Sequence, residues 1–395
     1  MVNANTVFGL FEQLQSVDIS VHQNRCVLVR NRNASCMKCA EACTSGCISY
    51  KNGELIVSPE KCIGCGTCAT VCPTCALEAH HPSDQELYEA AINVLKNTDG
   101  EVTIACEQLL ELAAGQYDPD KILGVKCLGR IEESVLILLA RAKAQRVNLV
   151  QGPCDTCTRN TGLKTAELVC ETANTLLDAW NQQKIVTISR KLPSNTCRKS
   201  NASYDVERRG FLTDMFDTAK STSRITAQYA LTSSSEAEDA KDETPTFQKV
   251  QDDGTLPHFL PHRRNRLLKG LVFFGPPEDI MIKTRLWGHV IIDIEACTSC
   301  QMCATFCPTE AIKKFEDYDG SFGIEHYPSR CVKCSCCASI CPAGALTLSD
   351  EVFAIDLHSK SFERYEMKPR KKQLGPHQMK DSLKGLLNDE FVYER

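Results

Sequence analysis

Cysteine is the residue type whose number and spacing suggest chemistry in this chain of 395 residues, which contains 25 of them. Two runs in the C-terminal region each place three cysteines at intervals of three residues and a fourth, followed by proline, four residues further on. They comprise Cys297, Cys300, Cys303 and Cys307, then Cys331, Cys334, Cys337 and Cys341. Three thiolates at this spacing wrap around one cubane iron-sulfur cluster, while the fourth reaches a neighbouring cluster. The pattern therefore predicts two 4Fe-4S clusters in this region.

The ligand sets predicted for these two clusters are crossed between the runs. One set is Cys297, Cys300, Cys303 and Cys341, and the other is Cys331, Cys334, Cys337 and Cys307. Tetrahedral zinc sites also use paired cysteines, but zinc does not explain a third cysteine at the same interval or the Cys-Pro step. Cys336 is out of register and is interpreted as a bystander.

The N-terminal region repeats the pattern with one departure. Its second run, Cys62, Cys65, Cys68 and Cys72, is regular, whereas its first run, Cys36, Cys39, Cys43 and Cys47, has one extra residue before the third cysteine and no following proline. Crossed pairing predicts Cys36, Cys39, Cys43 and Cys72 on one 4Fe-4S cluster, and Cys62, Cys65, Cys68 and Cys47 on the other. A three-iron cluster in the first set is the alternative.

Four further cysteines lie at or beyond the ends of predicted strands in the central region. Cys106 ends one strand, Cys127 ends the next, and Cys154 and Cys157 follow a third. The carboxyl ends of adjacent parallel strands share one sheet edge, where ligands usually bind. We expect one metal centre there, with 2Fe-2S ahead of 4Fe-4S or zinc. The alternative is a thioredoxin-like dithiol at Cys154 and Cys157. The remaining cysteines are interpreted as structural or incidental thiols: Cys26, Cys75, Cys170 and Cys197.

The elements around these cysteines predict an α+β multi-domain protein, with two ferredoxin-like modules flanking a parallel α/β domain. The predicted central strands are Glu101–Cys106, Lys121–Cys127, Arg146–Gly152 and Lys184–Ser189, and the predicted helices are Glu107–Gly115, Ile131–Gln145 and Gly162–Gln182. The expected domains are residues 1–97, 98–198 and 258–395, joined by a polar linker over 199–257.

Two central segments, Val125–Glu132 and Val147–Cys157, resemble the delta subunit of methyl-viologen-reducing hydrogenase. The resemblance covers residues 100–180 and implies a thioredoxin-like or flavodoxin-like α/β core that holds a 2Fe-2S cluster. It also implies electron transfer between a hydrogenase or formate dehydrogenase and heterodisulfide reductase. The chain departs from this family at the first strand, where only Cys106 stands instead of a pair. The flanking modules resemble two-cluster bacterial ferredoxins.

Composition and charge exclude several other classes of protein. The formal net charge is −5 without a dominating basic face, so the pattern of a nucleic-acid binder is missing. The basic run over 262–266 is expected to be solvated surface or a partner contact. No apolar run approaches the roughly 18 residues of a transmembrane helix. The N-terminal residues do not resemble a secretory signal, and we therefore expect a cytoplasmic, reducing location in which metal binding explains the cysteines better than disulfides do.

The sequence carries no glycine-rich dinucleotide fingerprint, Walker loop or catalytic triad, so substrate chemistry is expected on another subunit. The predicted function is a non-catalytic electron-transfer subunit that conducts single electrons between a catalytic oxidoreductase and another redox carrier. By resemblance, the catalytic partner is a molybdenum or tungsten pterin enzyme, such as formate dehydrogenase or aldehyde oxidoreductase, or a hydrogenase. The alternatives are a thiol/disulfide reductase that uses Cys154 and Cys157, and an assembly or storage protein for clusters.

Overall fold

The computed structural model of the protein describes residues 18–198, 250–251 and 254–368. Most of the predicted linker, residues 199–249 and 252–253, lies outside the described residues, as do residues 1–17 and 369–395. Within the described ranges, no helix is both long and apolar enough to cross a membrane.

A four-stranded parallel sheet forms the central region, as the alternation of strand and helix patterns predicted. The strands lie in the order Ile122–Val125, Glu101–Cys106, Arg146–Val150 and Val186–Ser189. Aliphatic side chains of the two inner strands, including Val102, Ile104, Val147 and Leu149, are fully buried, as expected for a parallel sheet covered on both faces. The prediction of a parallel sheet is confirmed, and each predicted strand differs from the observed one by two residues or fewer at either end.

Helices connect these strands and cover the sheet. The α-helices of this region are Asp84–Lys96, Glu107–Leu112, Glu133–Arg141 and Thr161–Ala179, and the short 3-10 helices are Pro119–Lys121, Leu128–Arg130, Cys154–Thr156 and Ser194–Thr196. The first of these helices begins at a capping box in which the Ser83 hydroxyl accepts from the Glu86 amide and the Glu86 carboxylate accepts from the Ser83 amide. This reciprocal pair satisfies two amides that the first turn of a helix leaves free.

The N-terminal region consists of two small antiparallel pairs and short helices. Ile19–Val21 pairs with Leu77–Ala79, and Ile48–Lys51 pairs with Glu54–Val57. The helical segments are Gln23–Arg25 (3-10), Val27–Arg30, Lys38–Glu41 and Thr67–Val71. Several cysteines lie inside the apolar core of this region, which places thiols where water is largely excluded.

The C-terminal region repeats this arrangement and adds strands around it. The antiparallel pairings are His289–Ile292 with Leu346–Ser349, Ile312–Glu316 with Phe322–His326, Phe322–His326 with Glu363–Glu366, and Met281–Lys283 with Glu351–Phe353. The helical segments are His262–Val272, Met302–Phe306, Pro328–Arg330 (3-10), Cys336–Ile340 and Ala354–Ser359. In both regions, the strand just before the cysteine runs pairs with the strand that follows the last cysteine of the second run: Ile19–Val21 with Leu77–Ala79, and His289–Ile292 with Leu346–Ser349.

The basic run over 262–266 was expected to be solvated surface or a partner contact, and for two of its arginines the expectation of a solvated surface is wrong. It forms the first turn of the helix His262–Val272, in which Arg263 and Arg264 are each 7% exposed. Arg263 donates to the Asp84 carboxylate at 2.7 and 2.9 Å, and the guanidinium of Arg264 lies 4.6 Å from the centroid of the Trp287 ring. A buried carboxylate and an aromatic face therefore stabilise charges that the sequence alone suggested were in water.

Candidate metal centres

The regular cysteine runs share one local conformation. In each, the third cysteine lies in a short helix: Cys68 in Thr67–Val71, Cys303 in Met302–Phe306 and Cys337 in Cys336–Ile340. The residue before each helix has a positive φ, namely Gly66 (73°), Gln301 (54°) and Ser335 (61°). This left-handed residue turns the chain sharply, so the second and third thiols face the same volume.

The second run of the C-terminal region brings four predicted ligands together. The pKa of Cys331 is raised to about 11, first by burial and then by neighbouring thiolates that include Cys307. The pKa values of Cys334 and Cys337 are raised well above the ordinary thiol value, first by burial and then by neighbouring thiolates that include Cys307. Cys307 thus lies with the three cysteines of the other run, which is the arrangement that crossed pairing requires.

The first run of the C-terminal region brings Cys297, Cys300 and Cys303 together. The pKa of Cys303 is raised by burial and then by the thiolates of Cys300, Cys297 and Cys307. Cys297 accepts a hydrogen bond from the Ser299 amide at 3.4 Å, and Cys341 accepts one from the Ala345 amide at 3.3 Å. Such N–H···S bonds stabilise thiolate ligands and tune the reduction potential of a cluster.

In the N-terminal region, one small cavity is lined by five thiols. They are Cys43, Cys47, Cys62, Cys65 and Cys68. The sulfurs of Cys43 and Cys47 lie 3.4 Å apart. Cys62, Cys65, Cys68 and Cys47 were predicted to form one set, and the structure places Cys43 at the same cavity rather than away from it.

Three of the four members of the other predicted set of this region meet around Cys72, whereas Cys43 lies at the cavity just described. Burial raises the pKa of Cys36, and the charge of Cys72 acts in the same direction. The pKa of Cys39 is raised to about 12 by burial and then by the thiolates of Cys72, Cys26 and Cys36. Cys72 itself accepts a hydrogen bond from the Ala76 amide at 3.2 Å. Cys36, Cys39 and Cys72 are therefore brought together, with Cys26 as an additional neighbour that the sequence pattern did not indicate.

The four central cysteines line a single cavity at the carboxyl edge of the parallel sheet. Its lining includes Cys106, Cys127, Cys154 and Cys157, together with Gln108, Lys126, Gln151 and Arg159. Cys106 accepts from the Gly152 amide at 3.1 Å and Cys157 from the Arg159 amide at 3.4 Å. In the described part of the chain, no three Cys, His, Asp or Glu side chains converge closely enough for a single metal ion. A cluster distributes its ligands over several irons, so four thiols around a cavity fit that larger group.

The helix that begins at Thr161 approaches this cavity without a side chain in between. A Cβ atom built on Gly162 would lie 2.1 Å from the sulfur of Cys127, so any residue other than glycine at this position would displace the thiol. The pKa of Cys127 is raised to about 12, first by burial and then by neighbouring cysteines that include Cys65 and Cys157. A metal that binds Cys127 must therefore displace the proton of this thiol.

Comparison with known protein families agrees with this geometry. Residues 296–345 match the 4Fe-4S dicluster domain, and residues 55–78 match the 4Fe-4S binding domain. Two ferredoxin-type domains with these cysteine runs support an iron-sulfur protein, and iron-sulfur domains with so many cysteines fit a role in electron transfer. The number of clusters, the ligand of each iron and the type of the central centre remain predictions.

Proposed function

We propose that the protein is an electron-transfer subunit that holds four 4Fe-4S clusters in its two ferredoxin-like regions and one further cysteine-ligated centre, of the 2Fe-2S type, in its central domain. The domain boundaries 1–97, 98–198 and 258–395 and a cytoplasmic location belong to the same proposal. The observation that carries it is that thiols of the predicted sets have neighbours in the next set, from the C-terminal region through the N-terminal region to the central cavity.

The C-terminal end of this row consists of the two crossed sets of that region. Cys303 of one set is among the thiolates that raise the pKa of Cys337 in the other. From there the row continues into the N-terminal region, because Cys334 and Cys36 both pack against the buried apolar cluster that contains Phe306 and Cys336. These contacts are between residues far apart in sequence, so the fold itself brings the sets next to each other.

The row continues from the N-terminal region into the central domain. Burial and then neighbouring thiolates raise the pKa of Cys68, and Cys39 of the adjacent set is one of these neighbours. Cys65 in turn is a neighbour of Cys127 in the central cavity. A 4Fe-4S cluster held by such thiolates takes up and releases one electron at a time. A continuous row of ligand sets is the arrangement expected of a protein that conducts electrons from one surface to another.

The chain also provides charges that favour an added electron. Arg30 is 2% exposed and lies among the thiols Cys336, Cys307 and Cys334. Burial lowers the pKa of this guanidinium, while those thiolates counteract the shift. A buried positive charge beside a negatively charged cluster stabilises its reduced state, since little water screens the attraction. We therefore expect the cluster predicted at Cys331, Cys334, Cys337 and Cys307, which lies beside Arg30, to have the highest reduction potential of the five centres.

Native alkylation with mass spectrometry distinguishes the central metal centre from a free dithiol. Cys154 and Cys157 are partly exposed, so as free thiols they would react with iodoacetamide. As ligands they resist until a chelator removes the metal. Cys197, which is exposed, is the internal control that must react in both samples. Reaction of Cys154 and Cys157 before chelation would support the thiol/disulfide reductase instead. Burial followed by the charges of Cys106 and Cys157 raises the pKa of Cys154, whereas an attacking thiol needs a lowered one.

An EPR-monitored redox titration of the anaerobically purified chain tests conduction by the whole row. We expect several one-electron centres that reduce and reoxidise reversibly, with interaction between neighbouring paramagnets. Loss of clusters to added apo-proteins on the timescale of mixing would instead indicate an assembly or storage protein. The partners follow from the resemblance alone: a hydrogenase or a molybdenum or tungsten pterin enzyme on one side, and another redox carrier on the other.

A further inference from the structure

The loop after the fourth cysteine has the same conformation in each regular run, and this conformation identifies the fourth cysteine independently of spacing. The third residue after it has a positive φ: Cys75 (50°) after Cys72, Glu310 (56°) after Cys307 and Gly344 (61°) after Cys341. Five residues after the same cysteine a strand begins, at Leu77, Ile312 and Leu346 respectively.

In the irregular first run, Cys43 rather than Cys47 has these properties. Gly46, three residues after Cys43, has a φ of 62°, and the strand Ile48–Lys51 begins five residues after Cys43. The Gly46 amide donates to the Cys43 carbonyl at 3.4 Å, as the Cys75 amide does to the Cys72 carbonyl. The Cys43 sulfur accepts a hydrogen bond from the Cys47 amide and lies 3.5 Å from the Ser45 hydroxyl oxygen. In two regular runs, the amide four residues after the fourth cysteine makes the same hydrogen bond to the sulfur of that cysteine. Ala76 donates to Cys72, and Ala345 donates to Cys341.

If Cys43 is the fourth cysteine of the first run, the run has no cysteine at its first position. Counting back from Cys43, Cys39 is the third cysteine and lies in the helix Lys38–Glu41, as third cysteines do in the other runs. Cys36 is then the second, and Asn33 stands where the first cysteine is expected. Cys47 corresponds to an alanine in every regular run: Ala76, Ala311 and Ala345.

Cys26 has the local geometry of a first cysteine. It follows the 3-10 turn Gln23–Arg25 as Cys331 follows Pro328–Arg330, and both amides donate to the first carbonyl of the turn at 3.0 Å. The φ and ψ angles are −74° and 127° at Cys26 and −69° and 122° at Cys331. The helix Val27–Arg30 and the residues after it then form an insertion between the first and second cysteines.

Contacts with the loop after Cys72 hold Cys26 beside the other thiols. The His22 amide donates to the Ala76 carbonyl at 2.8 Å, and the Arg25 guanidinium donates to the Cys75 carbonyl at 3.3 Å. Cys26 is 7% exposed and belongs to the same buried core as Cys39. Cys72 and Cys36 are among the neighbours that act electrostatically on its sulfur.

We propose that Cys26 completes the ligand set of Cys36, Cys39 and Cys72, and that Cys43 completes the set of Cys62, Cys65 and Cys68. The inference rests on the proposed clusters of the N-terminal region, and it replaces the sequence-based assignment of Cys43 and Cys47. It provides four thiolates for each cluster, so the insertion does not require a three-iron centre. Cys47 lines the cavity of the second set without holding iron.

Alanine variants of Cys26 and Cys47 in the full chain form a matched pair for the test. Iron per chain and the EPR spectrum are measured on anaerobically purified wild type and variants. We expect Cys26→Ala to lose about one iron, which leaves a three-iron cluster with its own EPR signal, or up to about four irons, which is the whole cluster. Cys47→Ala is expected to keep the wild-type iron content and spectrum, because alanine stands at this position in the regular runs.

The opposite result, iron loss in Cys47→Ala with none in Cys26→Ala, would overturn the assignment, as would full iron in both variants. If Cys26→Ala does not fold, Cys26→Ser keeps a similar side-chain volume and an oxygen that can bind iron. It is then expected to retain iron but change the EPR signal of one cluster, and an unchanged spectrum would overturn the assignment. A wild type that lacks iron would contradict the proposed function itself, which is a separate outcome.

Discussion

Replacing Asp84 by asparagine is expected to destabilise the whole folded unit, because this carboxylate holds cationic side chains from two distant parts of the chain. Asp84 accepts hydrogen bonds from Arg130 at 2.6 Å, from Arg263 at 2.7 and 2.9 Å and from Arg266 at 2.8 Å, and its Oδ2 lies 3.1 Å from Nε2 of His262. The side chains of Asp84, Arg130 and Arg263 are 10%, 3% and 9% exposed. Asparagine keeps the size of the side chain but removes the buried charge that these guanidiniums share; Glu132, 3.5 Å from Arg266, remains as a weaker counter-charge.

The expected loss is about 3 kcal/mol, the lower end of what breaking a buried ion pair costs, because asparagine still accepts one hydrogen bond. For a folded unit of this size the loss corresponds to a fall in Tm of roughly 4 to 5 °C. The arginines hold the pKa of Asp84 well below its usual value, even though burial opposes the shift. The stabilisation is therefore complete above about pH 4, where the unfolded carboxyl is also ionised, and is lost as the pH falls further.

Thermal unfolding of the anaerobically prepared protein, at one scan rate and pH 7, measures this difference. Asp178→Asn is the matched control, since it removes the same charge from an ion pair with Lys184 whose side chains are 60% and 56% exposed. Its effect should stay below about 1 kcal/mol. Equal Tm values for the two variants would refute the reasoning about burial, and a difference between wild type and Asp84→Asn that does not shrink below pH 4 would refute the charge argument.

Three further substitutions test individual contacts. Gly162→Ala must displace the Cys127 sulfur, because its Cβ would lie 2.1 Å away; we expect a changed EPR signal from the central centre alone, and an unchanged one would contradict the ligand role. His326 is fully buried and its pKa is lowered to about 3 by burial and by His289. Below pH 6.5 this histidine binds a proton in the unfolded chain but not in the folded one, so each further pH unit lowers the free energy of unfolding by about 1.4 kcal/mol. His326→Phe removes this effect and should reduce the fall in Tm between pH 6.5 and 5. An equally steep fall would show that the ring is solvated. Ser83→Ala removes one half of the capping box and should lower stability by about 1 kcal/mol in chemical denaturation, whereas no change would mean that water replaces the cap.

The parallel sheet could be predicted because each of its strands carries its own signal. Short β-branched segments such as Glu101–Cys106 and Arg146–Val150 alternate with helical patterns, and this alternation allows few topologies. The convergence of the central thiols followed from the same rule, because the carboxyl ends of parallel strands share an edge. The cavity lined by these four thiols lies where that rule placed them.

Residues whose role depends on contacts distant in sequence could not be predicted. The buried Arg263 looked like surface because its counter-charge, Asp84, lies in a different region of the sequence. The position of Cys26 was hidden by the inserted helix Val27–Arg30, which breaks the interval between cysteines while the turn before Cys26 keeps the geometry. The left-handed residue three positions after the fourth cysteine marks the register in the structure. Because it is Cys75, Glu310 or Gly344 in the regular runs, it has no common residue type that the sequence could have shown.

The iron content of the anaerobically purified chain, determined together with its protein concentration, tests the central claim most directly. Four cubanes with or without a two-iron centre predict about 16 to 18 irons per chain and a brown protein. A colourless preparation with essentially no iron, obtained from cells supplied with iron and kept from oxygen, would contradict the account.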